Sequence, residues 1–290
     1  MLGAKMRGNL PEERLMEIDS KLPTLDSRFR LATTQGPGVD INDLVKGTDL
    51  GVALVCLGDA GDRFRQVRLA VREALACLIW YREVSPKAPI ETSAVFLGGF
   101  YLDYATLLLY AAGEDIAAFV KAFLGIEAEL KDYLRLPEIQ KELSDKRISS
   151  EAARVGIFMK RKYPDHEITA ITSELHRNSD WHRAIEYRND WVHGKPPIIE
   201  GLGIQYDRKS RVVRNEGVGM EISFGGGSAP DHTIDELLNM TLLASEALAK
   251  ALSSLVGILA RKREELGEKF DFDRGEVESS SILKQLILHE

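Results

Sequence analysis

Apolar residues recur at helical spacing along most of this chain, and that periodicity limits the fold more than any other feature of the sequence. Between Asp62 and Glu83 the apolar residues fall three and four positions apart, and the same spacing continues at about 91–112, 115–135 and 149–162. A last stretch of this kind runs over about 233–265. With 44% apolar residues over 290 positions, these helices can bury a large core. We therefore predict a mainly α-helical protein.

One segment interrupts the helical pattern. Residues 203–224 alternate apolar and polar side chains around the turn sequences RKS and NEG, which predicts a small antiparallel β-meander inserted into a helical bundle. Thr233 and Glu236 follow with the spacing of a capping box, which predicts the start of the last long helix. The expected organisation has three parts: an N-terminal helical extension at 1–58, a helical domain that carries the meander at 59–270, and a charged tail at 271–290.

Composition and absent motifs narrow the classes of function. The net charge of −7 does not favour a general nucleic-acid-binding protein. The sequence has no glycine-rich phosphate loop, no dinucleotide-binding motif and no metal-binding spacing of His and Cys, so neither a cofactor nor a metal is expected. The most apolar stretch, 92–113, contains Asp103 and is followed by Glu114-Asp115, which we expect to begin the next helix. A buried core helix is favoured there over a membrane span, and the protein is predicted to be cytoplasmic.

A short motif occurs twice in the stretch ELHRNSDWHRAIEYRNDWVHG. Each copy has the spacing R-N-x-x-x-H, and the two copies are eleven residues apart. We predict one helix over 166–193 that carries both copies, because a Gly and two Pro follow it and end it. The motif residues are Arg177, Asn178 and His182 in the first copy and Arg188, Asn189 and His193 in the second.

Polar residues of both copies fall where this helix is expected to be buried. The apolar stripe that includes Ile168 and Leu175 continues at helical spacing to Asn178, His182 and Asn189. Buried polar groups need partners, so these residues form either a polar network that fixes helix packing or part of a site that lines a cleft. We favour the cleft, because residues 146–195 carry ten Lys and Arg against seven Asp and Glu on an otherwise acidic chain. The alternative is that these charged residues form a solvent-exposed surface that binds no ligand.

The spacing inside one copy limits how its residues can cooperate. Arg188 and His193 are five residues apart, so on a regular helix their directions differ by about 140°. They converge on one substrate only if the helix ends there or if a second chain completes the site. Arg177 and Arg188 share one direction to within about 20°, and His182 and His193 share another. We therefore predict a homodimer in which the 166–193 helices of two chains face each other. The alternative is a monomer whose upstream helices cover this face.

The stretch YRNDWVHG resembles the R-x4-6-H motif of HEPN domains, in which a polar residue, often Asn, follows the Arg. The long helices before the motif and its late position are also similar to that family, loosely over about 60–265. The resemblance implies a HEPN-like helical bundle that acts as a dimer, although the β-meander and the N-terminal helices depart from a minimal bundle. Many members are metal-independent endoribonucleases of bacterial defence and toxin–antitoxin systems. Single-stranded RNA and a cognate antitoxin protein are therefore the partners that the resemblance implies.

By this resemblance Arg188, Asn189 and His193 are the catalytic residues. The ribose 2′-OH would be the nucleophile, His193 the general base or acid, and Arg188 a bidentate contact to the scissile phosphate. Asn189 would orient His193 or a phosphate oxygen. The expected substrate-binding residues are Arg177, His182, Tyr187 and Trp191, and Tyr187, Trp181 and Trp191 are the candidates for stacking on an unpaired base.

A non-catalytic helical module is the alternative function. The acidic net charge and the Leu stripe at 237–259 are consistent with a protein that binds a nucleotide, an RNA or another protein without turning it over. Some HEPN proteins keep the fold and lack catalysis. RNA cleavage that depends on Arg188 and His193 distinguishes the two functions.

Overall fold

The computed structural model describes residues 10–25, 27–33, 49–84, 91–146, 148–193, 197–199, 211–215, 218–222, 230–265, 269–271 and 276–278. Within these residues the protein is mainly α-helical, as the periodicity predicted. The helices described there are α1 (Glu12–Lys21), α2 (Ser27–Thr33), α3 (Asp49–Val84), α4 (Glu91–Leu124), α5 (Glu127–Leu134), α6 (Pro137–Asp145), α7 (Glu151–Lys162), α8 (Glu167–Arg177), α9 (Ser179–His193) and α10 (Ile234–Glu265).

Helices α3 and α4 form a long antiparallel hairpin at the centre of the fold. Leu78 near the end of α3 lies against Gly98 near the start of α4, and Arg63 of α3 forms an ion pair with Asp115 of α4 at 3.3 Å. The 36 residues of α3 give it a length of roughly 54 Å. Many buried residues of both helices are alanines, which allow the two backbones to approach closely.

Helix α10 completes the core. It packs against α2, α3, α4, α8 and α9, and its buried residues recur from Ile234 to Arg263. The capping box predicted at its start is confirmed: Glu236 N–H donates to Thr233 Oγ1 at 3.1 Å, and Thr233 N–H donates to Glu236 Oε2 at 2.8 Å. Among the described helices, α10 alone is long and apolar enough to span a membrane, and 56% of its most apolar window is buried inside the protein. Its contacts with five helices are those of a core helix.

Helix α3 is longer than its apolar pattern predicted. It begins at Asp49 and passes without a break through residue 58, where the sequence predicted the end of an N-terminal extension. The Asp19 carboxylate of α1 forms ion pairs with Arg68 and Arg72 of α3, at 3.2 and 3.1 Å. Residues of α1 and α2 also belong to the same apolar core as the long helices.

The prediction that a helix begins at Glu114-Asp115 is wrong. Helix α4 continues through both residues to Leu124. The Glu114 carboxylate instead accepts backbone N–H bonds from Glu151 at 3.0 Å and Ala152 at 3.4 Å, so it stabilises the N-terminus of α7. Glu114 therefore stabilises a helix N-terminus, as expected, but the helix is α7 and not one that begins at Glu114 itself. In the sequence either Ser149 or Ser150 could cap α7, and the cap is Ser150, because its Oγ accepts from Ala153 N–H at 3.2 Å.

The single helix predicted over 166–193 is two helices, α8 and α9. Between them Asn178 has an extended backbone, with φ −65° and ψ 122°. Its side-chain Oδ1 accepts a hydrogen bond from Trp181 N–H at 2.8 Å, so Asn178 is the N-cap of α9. The prediction failed because the apolar spacing continues across the break, whereas Asn stabilises a helix start better than a helix interior.

The strands in the described residues form two short antiparallel pairs. β1 (Arg211–Asn215) pairs with β2 (Val218–Ile222), and β3 (Lys269–Asp271) pairs with β4 (Glu276–Glu278). The first pair is a hairpin inside the region predicted as a meander, and residues 203–210 of that region lie outside the described residues. A three-stranded meander is therefore not supported. Most of the predicted charged tail, 279–290, also lies outside the described residues.

Alanine substitutions at two glycines of α3 test how closely α2 packs against α3. A Cβ added at Gly61 would collide with the buried ring of Phe29, so we expect Gly61→Ala to lower the free energy of unfolding by about 1–3 kcal/mol. At Gly58, one turn earlier, the nearest atom would be Thr33 Cβ at 4.0 Å. There Ala should raise the stability by up to about 1 kcal/mol, because Ala favours a helix more than Gly does. Urea denaturation of both variants measures the difference, and equal effects would contradict this packing.

Candidate functional site

Helix α9 turns a different face to the core from the one predicted. Trp181, Ala184 and Tyr187 are buried, and the helix packs against α4 and α10. His182 and Asn189, which were predicted to lie on the buried stripe, are exposed. The reason is the break before α9, which starts a new helical phase, so the large aromatic side chains take the buried positions.

A partly buried hydrogen bond joins α9 to α4. The Tyr187 hydroxyl donates to Asp103 Oδ1 at 2.6 Å, and the Tyr187 ring meets the His232 ring edge-on with 5.5 Å between centroids. Burial raises the pKa of the Asp103 carboxyl, and the hydrogen bond from Tyr187 opposes that rise. Burial and then the Asp103 carboxylate raise the pKa of Tyr187. Tyr187, predicted to bind substrate, thus holds α9 in place.

Arg188 lies half-buried between α9 and α4. Its guanidinium carbon is 3.8 Å from the centroid of the Tyr110 ring, which is a cation–π contact. Its Nη1 donates to the side-chain oxygen of Asn189 at 2.9 Å. Its Nε is buried and has no hydrogen-bond partner among the described residues. Tyr110 and Asn189 therefore fix the Arg188 guanidinium. Its Nε–H does not donate a hydrogen bond to any described residue.

Two more charged residues surround Tyr110. Glu114 lies one turn further along α4, and Arg154 lies near the N-terminus of α7, which Glu114 stabilises. Burial raises the pKa of the Tyr110 hydroxyl and the Glu114 carboxylate adds to the rise, whereas the charges of Arg188 and Arg154 oppose it. Arg154 also has a buried Nε with no partner in the part of the chain that is described.

His193 is the last residue of α9 and lies on its outer face. It is exposed, as are His182 and Asn189 on the same side. His182 Nδ1 lies 3.3 Å from a carboxylate oxygen of Glu186. Arg188 points inward, about 140° around the helix from His193. The structure therefore does not bring Arg188 and His193 of one chain to the same side of the helix.

The remaining predicted residues lie in different places. Arg177 is exposed at the end of α8, where it lines an open groove of about 810 Å³ with Lys160 of α7. Because of the helix break, Arg177 and Arg188 do not share one continuous helix as predicted. Trp191 is half-buried on α9, and Trp181 is buried.

Tyr110, which lies under the Arg188 guanidinium, was not predicted from the sequence, and neither were Glu114 and Arg154, whose charges act on the pKa of Tyr110. Tyr110 and Glu114 lie on α4 at positions seven and eleven after Asp103, so all three share one helix face. That spacing could have been found in the sequence, since Asp103 is a single acid inside the most apolar stretch. No local pattern connects Arg154 with these residues, because α7 meets α4 only through the tertiary fold.

Comparison with protein-family models, with curated proteins and with solved structures finds no match to this chain. Among the described residues, no group of three or more His, Cys, Asp and Glu is arranged to hold a metal ion. The motif and the contacts around it are therefore the features of this chain that indicate a function.

The buried pair of Asp103 and Tyr187 gives a prediction with a pH dependence. Tyr187→Phe leaves the carboxylate unpaired, so we expect the free energy of unfolding at pH 7 to fall by about 1–3 kcal/mol. Because the native pKa of Asp103 is raised, its contribution to stability is complete below its ordinary pKa of 3.8 and is lost as the pH rises through the native pKa. The stability of Asp103→Asn relative to wild type should therefore increase with pH over this window. Urea denaturation at a series of pH values measures it, and a constant difference would contradict the burial of a charge.

Proposed function

We propose that this protein is a metal-independent endoribonuclease of the HEPN type that cleaves single-stranded RNA. The observation that carries this proposal is the position of the second motif copy on α9. Arg188 is held by Tyr110 and Asn189, and His193 is exposed at the end of the same helix. The first copy is divided by the helix break, with Arg177 on α8 and His182 on α9, so it is not a second site of the same kind.

The chemistry follows from the properties of these two side chains. The 2′-oxygen of a ribose attacks the adjacent phosphorus, and the bond from phosphorus to the 5′-oxygen of the next nucleotide breaks. His193 removes the 2′-OH proton or gives a proton to the leaving 5′-oxygen, since an imidazole titrates near neutral pH. Arg188 binds the phosphate oxygens, on which negative charge increases in the transition state. The products are a 2′,3′-cyclic phosphate and a 5′-hydroxyl.

A homodimer allows the two residues to act on one phosphate. Arg188 and His193 of one chain lie on different sides of α9, so a second chain has to supply the missing group. The composite site then contains Arg188 of one chain and His193 of the other. This arrangement also agrees with the assembly that the HEPN resemblance implies.

An exposed aromatic face on α4 is the surface that we propose for this dimer. Phe96, Phe100 and Tyr104 are 60%, 59% and 46% exposed and recur every four residues. Aromatic side chains exposed along one helix face are typical of an interaction surface. Helix α9 runs antiparallel to α4, because Tyr187 meets Asp103 and Trp181 meets Gly113. The end of α9 with His193 is therefore level with the start of this aromatic face.

A non-catalytic module that binds RNA or a nucleotide is the second candidate. It is favoured by the inward position of Arg188, whose stacking on Tyr110 is also what a purely structural arginine would show. In either case the resemblance suggests a protein of a bacterial defence or toxin–antitoxin system, with an antitoxin protein as partner. The following experiments separate the two candidates.

The first experiment measures cleavage of a mixed single-stranded RNA. We expect cleavage that persists in EDTA and gives 2′,3′-cyclic phosphate ends. His193→Ala should lower the rate by about 10²–10⁴-fold because the proton-transfer group is lost, and Arg188→Ala should have an effect of similar size. Arg183→Ala is the matched control, since Arg183 is an exposed arginine of the same helix whose ion pair is with Asp180. Binding without cleavage would favour the module.

Mixing the two inactive variants tests the composite site. A heterodimer of Arg188→Ala and His193→Ala chains contains one site with both groups intact, so an equal mixture should recover about a quarter of the wild-type activity. If both groups of one site come from a single chain, the mixture stays inactive. No recovery in a mixture that is shown to exchange subunits would contradict the composite site.

Phe100→Asp tests the proposed dimer surface. A buried unpaired carboxylate in an apolar interface is costly, so this variant should sediment as a monomer at micromolar concentration, whereas wild type sediments as a dimer. Leu69→Asp is the control, because Leu69 is a similarly exposed apolar residue on α3, 52% accessible, outside the aromatic face. A dimer that is unaffected by Phe100→Asp would place the interface elsewhere.

A further inference from the structure

We propose that the open groove between α7 and α8 binds the phosphate backbone of single-stranded RNA, and that Lys160 and Arg177 supply its positive charge. The groove has a volume of about 810 Å³, and both residues line it. This inference rests on the proposed function, because it names a second surface that holds the substrate of the nuclease. The surface is separate from the motif copy that carries Arg188 and His193.

The groove follows one face of α8. Thr169, Ser173 and Arg177 line it and recur every four residues along the helix. The eight residues from Thr169 to Arg177 correspond to roughly 12 Å of helix. An extended strand fills a groove of this length better than a single phosphate group does.

The two basic residues lie toward opposite ends of the groove. Helices α7 and α8 are antiparallel, because the short connection 163–166 joins them and a Cβ added at Gly156 of α7 would lie 3.6 Å from the ring of His176, near the end of α8. Lys160 is one turn further along α7, so it lies toward the start of α8, whereas Arg177 is the last residue of α8. Two separated positive charges match the repeated charges of a nucleic-acid backbone.

The positive charge of the groove is not neutralised by the described residues. Among them, no carboxylate forms an ion pair with Lys160 or Arg177. Glu174 is an acid of the lining, and its carboxylate is paired with Lys250 Nζ at 2.5 Å. The groove is therefore a positive surface on a chain whose net charge is −7.

The lining favours a phosphate backbone over a base or a peptide side chain. The Ser173 hydroxyl and the side-chain NH₂ of Asn178 are groups of the kind that contact phosphate oxygens. Of the described residues in the lining, none is an aromatic residue on which a base could stack. The neighbouring cavity toward α10 is lined by Asp180 and Glu246, so the positive surface ends there. We therefore expect binding that does not depend on the base sequence.

Binding of a 2′-fluoro single-stranded RNA, which lacks the nucleophile, tests the groove without cleavage. Lys160→Gln and Arg177→Gln should each weaken binding about threefold, because exposed charge contacts are modest. Each should also reduce the magnitude of the slope of log affinity against log salt by about 0.7. Arg177→Lys should keep the wild-type slope, because it keeps the charge.

The matched controls remove one positive charge from elsewhere on the surface. Lys141 is exposed on α6, and Arg135 is exposed at the end of α5, where its described ion pair is with Asp132. Neither residue lines the groove. Lys141→Gln and Arg135→Gln should therefore bind the RNA like wild type. An equal loss of affinity in the controls would mean that net charge alone is responsible, and it would overturn the groove.

Cleavage kinetics separate the groove from the catalytic groups. The groove lies at the start of α9 and His193 at its end, so the length of α9, roughly 22 Å, separates them. If wild type cleaves RNA, Lys160→Gln and Arg177→Gln should raise KM and leave kcat unchanged, since they remove binding that is equal in the ground state and the transition state. A fall in kcat with unchanged KM would contradict a binding role.

The outcomes distinguish this surface from the proposed function. If wild type cleaves RNA and both variants bind it like wild type, the groove proposal is wrong and the nuclease proposal stands. If wild type binds the 2′-fluoro RNA through both residues but does not cleave unmodified RNA, the groove stands and the nuclease proposal fails. Absence of RNA binding by the folded wild-type protein overturns both.

Two further results would also overturn the groove. Lys160 and Arg177 lie in the last turns of α7 and α8, where a positive charge stabilises a helix. If the variants lower the stability to urea and leave RNA binding unchanged, the two residues serve only their helices. If poly-glutamate binds the groove more tightly than the RNA does, its partner is an acidic peptide.

Discussion

Helix α4 carries half-buried polar side chains on one face, and the partners of those side chains determine where α7 and α9 lie. Asp103 accepts a hydrogen bond from Tyr187, Tyr110 lies under Arg188, and Glu114 accepts the N-terminal N–H groups of α7. An unpaired polar group in this position would cost a large part of the stability of a protein of this size. The positions of α7 and α9 are therefore set by polar contacts as well as by apolar packing.

The parts of the fold that could be predicted are those that depend on neighbouring residues. Ser150 and Thr233 cap the helices that their local sequence indicated, and α7 and α10 have the expected bounds. Asn178 could not be assigned in this way, because apolar residues at helical spacing lie on both sides of it. Glu114 was placed at a helix N-terminus for the right electrostatic reason, but its helix lies 37 residues away in the chain. Long-range partners of this kind have no signal in a single sequence.

The candidate site shows the same limit. The motif and the spacing of Arg188 and His193 were available from the sequence, and so was the conclusion that the two side chains diverge on one helix. Which face of α9 is buried could not be predicted from the sequence, because it depends on where the helix begins after the break at Asn178. The effect of the Arg154 charge on the pKa of Tyr110 could not be foreseen either, because α7 packs on α4 only in the folded chain.

The break at Asn178 has a further meaning for how short motifs are compared. In the first copy, Asn178 accepts a backbone N–H and Asp180 lies in the first turn of α9, where a negative charge is favoured. In the second copy, Asn189 lies inside the helix and its side-chain oxygen accepts from a guanidinium. The Asn of the first copy thus caps a helix, whereas the Asn of the second copy binds the arginine side chain beside it. Two occurrences of a pattern in a chain are two sites only when the backbone torsions at both are the same.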